Sequence, residues 1–565
     1  MKISVNHLGF KPESEKKAVI WGNDEYDSFS VINLTEMGYN EIGPNTKPNT
    51  VIFSGKLEKN DYPWGKYSIA DFSKLKTPGI YLISLNNKYN SVPFQIREDI
   101  YGRTIRKPFD YIHAQRCGDH VPFYHGPCHL DDAVFRDNNK YCDTVGGWHD
   151  AGDLRKWTAH TMMLGIALNH LKRIANPDWR VFDPAHGDIP SELKWGNQYF
   201  LKAQSESGLV YHDVAGGVDG DNSDNRWTNN IIGDGDDRHI NTMHDGVVQW
   251  EFVYFESMNS ITFSDSDPYY SDICKKAALK TYRYAINKEL NKCEEIAWAV
   301  LALKELFSAT GDENILSELE SKTKLLLSLQ ENEFKFGQKN LRGFFYSDTS
   351  KNDFFRNPRD GGIPLIALAE AFKYLKQSKL KEEVKTAIEL YCGNYLLPLM
   401  TKSPFGIIPY GIYSKTVEGE VYRKLEGELS FRFFAEVVGK CAFGLNSHLL
   451  SNAVGLFLSA EILNRDEYKT HAKNQLEWVM GFNPINTCMM TGEGVNNPYP
   501  HSRFLGLIIG GVMNGIAGEE DDMPFMDMNN TMDWRTTEYW SPHVAYYIWL
   551  SSLLNGNCRI DSLPY

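Results

Sequence analysis

Gly146-Gly147-Trp148-His149-Asp150-Ala151-Gly152-Asp153 places two carboxylates three residues apart on a glycine-rich turn. Leu154-Arg155-Lys156-Trp157 follow as the start of a helix. An Asp at the mouth of a helix, close to backbone N–H groups, tends to stay ionised. An ionised carboxylate is what a general base needs to take a proton from water. The ordinary reading of Asp150 and Asp153 is a helix N-cap and a first-turn acid. The residues around the pair, and two motifs elsewhere in the chain, decide between the two.

The first of these lies just upstream: Cys117, Cys128-His129 and His149. Two thiolates and two imidazoles complete a tetrahedral zinc shell. The Cys-x10-Cys-His-x19-His spacing is not that of a zinc finger, so buried thiols and hydrogen-bonded imidazoles are the alternative. A metal held here is structural, because four protein ligands leave no open position for water. His149 adjoins Asp150, so such a metal pins the loop that carries the base.

The second is C-terminal. Met480-Gly481-Phe482-Asn483-Pro484, Thr491-Gly492-Glu493-Gly494 and Pro500-His501-Ser502-Arg503 lead to Asp533-Trp534-Arg535-Thr536-Thr537-Glu538-Tyr539-Trp540 and a last helix. A Glu flanked by Trp and Tyr is a candidate for a raised pKa, and a protonated carboxyl is the acid partner a glycosidase requires. A Glu placed to suit a helix dipole, and a surface pair of His501 and Arg503, are the plainer readings.

Composition sets the frame. The 565 residues are 42% hydrophobic and 23% charged, a globular balance in a chain too long for one ordinary domain. A net charge of −14 argues against nucleic acid or an anionic membrane as partner. No stretch approaches a membrane span. Met1-Lys2-Ile3-Ser4-Val5 opens without a signal-peptide run, which predicts a cytoplasmic protein; a secreted or periplasmic one is the alternative if a leader has been removed. Nine Cys, at 117, 128, 142, 274, 293, 392, 441, 488 and 558, fit reduced core thiols rather than a disulfide framework. Nothing points to an organic cofactor, and oligomeric state is not legible.

Two patterns of periodicity divide the chain. Lys2–Val5, Ala18–Trp21, Phe29–Asn33, Thr50–Phe53, Tyr67–Asp71, Gly79–Leu85 and Val92–Ile96 read as short strands, predicting a β-sandwich over residues 1–98. From residue 99 to 565 the period is helical: Thr158–Ile174, Ser191–Ala203, Ser271–Asn287, Glu294–Thr310, Pro364–Leu375, Lys381–Leu396, Leu449–Leu463, Thr470–Met480 and Tyr546–Leu554, with a short candidate at Pro108–Cys117. Many helices joined by long loops suggest a helical toroid.

Together these pieces resemble glycoside hydrolase family 9. Val5-Asn6-His7-Leu8-Gly9-Phe10 and Pro78-Gly79-Ile80-Tyr81 are similar to the immunoglobulin-like domain that precedes many of its catalytic domains. Gly146 through Asp153 is similar to the family's base motif, Asn483-Pro484 through Arg503 to its sugar-binding segment, and Glu538 stands where its acid is expected. The resemblance implies an (α/α)6 barrel and an inverting mechanism, with Asp153 the base that activates water, Asp150 helping to hold that water and Glu538 protonating the leaving oxygen. It implies structural zinc on Cys117, Cys128, His129 and His149. It also implies sugar contacts from His501 and Arg503, with Trp148, Tyr539 and Trp540 as further binding candidates. Several members carry calcium, and the loop with Asp219, Asp221 and Asp224 is the candidate here, with solvated turn Asp as the alternative.

The chain departs from the family pattern in two places. The Asp usual about nine residues before the acid is replaced by Asn529, and Tyr539-Trp540-Ser541-Pro542-His543 differs from the common endoglucanase form. That segment is closer to leaderless bacterial members that trim short oligosaccharides. The leading expectation is therefore an exo-acting enzyme on β-1,4-linked gluco- or glucosamine-oligosaccharides, a β-glucosidase or exo-β-glucosaminidase. An endo-β-1,4-glucanase with an open cleft is the second reading. A non-catalytic sugar-binding protein on the same scaffold is the third.

Overall fold

The computed structural model describes residues 1–35, 50–177, 188–217, 224–439, 442–530, 532–556, 558 and 560. Nine strands build the N-terminal unit: β1 (Lys2–Ser4), β2 (Gly9–Phe10), β3 (Lys17–Trp21), β4 (Ser28–Asn33), β5 (Thr50–Tyr62), β6 (Gly65–Asp71), β7 (Gly79–Leu85), β8 (Tyr89–Asn90) and β9 (Phe94–Ile96). The 13-residue β5 pairs with β4 along its first half and with β6 along its second, so one strand belongs to two sheets. Side chains from both halves, among them Ile20 and Ala70 on one and Val31, Ile83 and Phe94 on the other, close over one core. This is the expected sandwich.

The rest is helical: α1 (Arg106–Ala114), α2 (Thr158–Ile174), α3 (Ile189–Lys202), α4 (Gly246–Thr262), α5 (Pro268–Ala285), α6 (Cys293–Thr310), α7 (Glu313–Ser328), α8 (Ile363–Phe372), α9 (Ser378–Glu389), α10 (Asn446–Leu463), α11 (Glu467–Val479) and α12 (Ser541–Asn555). The even-numbered helices form a closed ring: α2 packs on α4, α4 on α6, α6 on α8, α8 on α10, α10 on α12, and α12 returns to α2. Helices α3, α5, α7, α9 and α11 lie outside their partners. The fold is an (α/α)6 barrel.

Two of these helices were not predicted, and burial explains the first. Helix α4 is buried on nearly every face, and buried polar residues (Gln249, Glu251, Glu256, Asn259) interrupt its apolar pattern, so the 3.6-residue period is masked. Its start is fixed by Asp245, whose carboxylate accepts the N–H groups of Val247 and Val248. Helix α7 carries an Asp312 cap and buries Ile315, Leu316, Leu319 and Leu326, a signal the sequence does contain. Beyond Glu389, α9 continues as a wider π-type coil over Leu390–Leu396 rather than as the regular helix expected.

The sandwich docks on the barrel through backbone and aromatics. The His7 N–H donates to Met480 O at 2.8 Å, and Ser4 Oγ to Gly481 O at 2.9 Å. Trp64 packs on Phe433, ring centroids 4.4 Å apart. No described helix is long and apolar enough to cross a membrane.

Candidate active site

All six inner helices begin at one end of the barrel, where a cavity of about 680 Å³ opens. Trp157 and His160 from α2, Asp245 from α4, Glu294 from α6, Asn357 and Arg359 ahead of α8, Phe443 ahead of α10 and Trp540 ahead of α12 all line it. Six positive helix ends around one cavity favour negative charge there.

Asp150, Asp153 and Glu538 share this cavity. The Asp150 peptide is fixed on both sides: its N–H donates to Arg155 O at 2.9 Å, and its carbonyl accepts the N–H and hydroxyl of Ser541 at 3.0 and 2.6 Å. Its side chain takes Trp540 Nε1–H at 3.3 Å and faces His160 Nδ1 at 3.5 Å. Asp153 accepts the Arg155 N–H at 3.1 Å. Burial, and then the Asp150 carboxylate, push Asp153 up to about 6, with Arg155 opposing.

Glu538 sits in a short extended segment between two neighbours. Its carbonyl accepts the Asn514 N–H at 2.7 Å on one side, and on the other it bridges to His501. Burial, followed by Asp153 and Asp150, holds its carboxyl well above the usual range. The His501–Arg503 segment beside the acid touches the Asp-bearing segment directly: Arg503 N–H donates to Gly152 O at 3.0 Å, and a Cβ on Gly152 would meet the His501 carbonyl and lie 3.2 Å from Glu538 Oε1.

His501, Arg503 and Trp540 also reach the cavity. Trp148 and Tyr539 do not, which corrects their expected role in sugar binding. Trp148 is fully buried, donates Nε1–H to Glu192 at 2.8 Å and lies against Gly196, where no larger residue fits. Tyr539 is fully buried, donates its hydroxyl to Gly506 O at 2.8 Å and meets Tyr111 edge-on. Both wall the site from behind.

Cys117, Cys128, His129 and His149 come together, all buried, their ligand atoms within 4.8 Å of one another. Cys117 Sγ lies 3.5 Å from His129 Nδ1 and Cys128 Sγ 3.8 Å from His149 Nε2. Metal bonds of about 2.3 Å to sulfur and 2.0 Å to nitrogen make a tetrahedral S···N edge of about 3.5 Å, so the donor set fits a zinc-sized ion. His129 turns its Nδ1 inward because Nε2 bonds Arg226 O at 2.9 Å. Of the proposed calcium loop, Asp219 and Asp221 lie outside the described residues; Asp224 is buried.

Comparison with known proteins agrees with this geometry. The model of Glycosyl hydrolase family 9 matches residues 101–539, and that of the cellulase N-terminal Ig-like domain residues 1–89. The chain belongs to glycosyl hydrolase family 9. It is a glycoside hydrolase. Endoglucanase D of Acetivibrio thermocellus is 23% identical over all of this chain and 82% of its own length. A cellodextrinase of Butyrivibrio fibrisolvens is 30% identical over 38% of this chain and 40% of its own. A crystal structure of a metagenome-derived family 9 endoglucanase superimposes with a TM-score of 0.72 at 18% identity, covering 98% of this chain and 99% of that one. The cavity residues Asp245, Glu294, Arg359 and Phe443 escaped the sequence reading. Each stands alone in its segment, and only the closed ring brings it to the motifs around Asp150 and Glu538.

Proposed function

We propose that this family 9 enzyme is an inverting, exo-acting β-1,4-glycosidase that removes single sugars from the non-reducing end of short gluco- or glucosamine-oligosaccharides. The observation that carries the reading is the sharing of one compact cavity by Asp150, Asp153 and Glu538 with opposite proton demands. Asp153, at about 6, is ionised at neutral pH and takes a proton from water as its oxygen attacks the anomeric carbon. Glu538 keeps its proton and gives it to the glycosidic oxygen as the C–O bond breaks. Asp150, oriented by Trp540 and His160, holds the same water. His501 and Arg503 bind sugar hydroxyls.

A cavity of about 680 Å³ falls in the range of small-ligand sites, which supports a short oligosaccharide as substrate. The cellodextrinase relative points the same way. The endoglucanase relative favours the second reading, an endo-β-1,4-glucanase. Asp245 and Glu294 add two carboxylates to the wall, facing His212 at 3.7 Å and Arg359 at 3.6 Å, a mixed-charge setting that serves glucose hydroxyls as well as a glucosamine ammonium. We infer a structural zinc on Cys117, Cys128, His129 and His149, which keeps the Asp150 loop in place and takes no part in proton transfer.

The test is the product time course from cello- and chitosan-tetraose labelled at the reducing end. Stepwise release of unlabelled monosaccharide, first seen by NMR as the α-anomer, is expected. Early internal fragments would overturn exo action, and an initial β-anomer would overturn inversion.

The pH–rate profile is expected to be bell-shaped. Activity falls about tenfold per unit below pH 6 as Asp153 gains a proton, and falls again on the alkaline side as Glu538 loses its own. A flat acid limb down to pH 4 would remove Asp153 as base.

A further inference from the structure

Outside the cavity, three more carboxylates converge. Asp131, Asp236 and Asp237 each bring an oxygen to within 4.8 Å of the others. Asp131 is fully buried and Asp237 nearly so. In each, one oxygen is tied by a donor: the Thr228 hydroxyl to Asp131 at 2.6 Å, the Asn229 N–H to Asp236 at 2.9 Å, the Gly233 N–H to Asp237 at 2.8 Å. In each, the other oxygen is buried and receives no hydrogen bond from a donor among the described residues, and a fourth carboxyl, Asp234, lies against Asp236. Arg226 comes close, but its Nε–H donates to the Asp236 main-chain carbonyl at 3.3 Å and not to a carboxylate.

Three carboxylates with their free oxygens turned together and away from water repel one another strongly unless a cation sits between them. The donor set is oxygen only, which suits a hard ion and not a thiolate-seeking one. Calcium takes carboxylate oxygens at about 2.3–2.6 Å in a loose geometry, so one ion can reach three oxygens that lie within 4.8 Å of one another.

We propose that Asp131, Asp236 and Asp237 bind a calcium ion. Its position gives it a task. Asp131 lies two residues beyond His129, and Asn230 Oδ1 accepts the Leu130 N–H at 2.9 Å. Arg226 O meets His129 Nε2, and Trp227 stacks on the His129 ring with centroids 5.7 Å apart. The ion therefore clamps segment 226–237 onto the Cys128–Asp132 segment, which carries two of the four Cys/His ligands.

The experiment uses the full chain, freed of calcium on a chelating resin and checked to keep its Cys/His-bound metal. Adding 1 mM CaCl2 to the wild type is expected to raise Tm by about 2–5 °C. The double variant Asp236→Asn/Asp237→Asn is expected to show no rise, and to bind one calcium fewer by calorimetry. Without calcium that variant is expected to be at least as stable as the wild type, because it has lost repulsion rather than contacts. Should the double variant not fold, terbium luminescence excited through Trp227 reports the same site. Trp227→Phe is expected to keep the calcium-induced rise in Tm while losing most of the sensitised emission. A wild type indifferent to 1 mM calcium, a double variant with undiminished calcium binding, or a Trp227→Phe variant with unchanged emission overturns the proposal.

Discussion

Glu538→Gln is expected to lower kcat by about 10³-fold or more while leaving Tm unchanged or higher. The first half follows from the absence of any other proton donor held at the glycosidic oxygen in the proposed mechanism. The second follows from the direction of the shift. Burial and two neighbouring carboxylates make the folded chain hold the Glu538 proton more tightly than the unfolded chain does. That contribution to stability is present in acid and is lost as pH rises from the unfolded value, about 4.3, toward the raised folded one. At neutral pH the group therefore strains the fold, and a neutral amide of the same shape relieves it. Turnover of cellotetraose and chitosan-tetraose, together with thermal melts at pH 5 and 7.5, checks both halves. A variant that keeps its turnover sinks the assignment of the acid.

Cys128→Ser carries the largest expected loss of stability. It removes one of four buried ligands and leaves Cys117, His129 and His149 facing one another without a complete shell. Elemental analysis is expected to fall from about one zinc per chain to near zero, and Tm by roughly 5–10 °C. Activity is expected to fall with them, because the His149 N–H donates to Gln115 O at 2.7 Å and Asp150 follows directly in the chain. Cys142→Ser, at a half-buried thiol outside the cluster, should leave metal and Tm as they were. Full zinc retention in Cys128→Ser would mean that the four residues are simply core.

The parts legible in the sequence are those whose signal is local. The strands of the sandwich alternate, the outer helices are amphipathic, and the motifs around Asp150, Cys128 and Glu538 each concentrate their chemistry within a few residues. Helix α4 was not legible, because buried polar residues such as Gln249, Glu251 and Glu256 break up the apolar pattern that marks a helix. Trp148 was misread for a related reason: proximity in sequence to Asp150 does not say which way a side chain points. The indole goes inward to Glu192, while Trp540, 390 residues from Asp150, donates to its carboxylate. Asp131 passed unremarked beside His129, since the two acids that complete its cluster lie more than a hundred residues away.

The contact between Gly152 and the His501–Arg503 strand has a consequence for how this enzyme can change. The gap between the proposed base and the proposed acid is gauged by main chain against main chain, with no room for a methyl group. Exchanging side chains at Asp153 or Glu538 for longer or shorter ones shifts a carboxyl by a bond length but leaves the gauge untouched. The stereochemical course of hydrolysis is thus a property inherited with two loops together. A lineage of this chain can drift in substrate, through the scattered residues of the cavity wall, far more freely than it can drift in the handedness of its product.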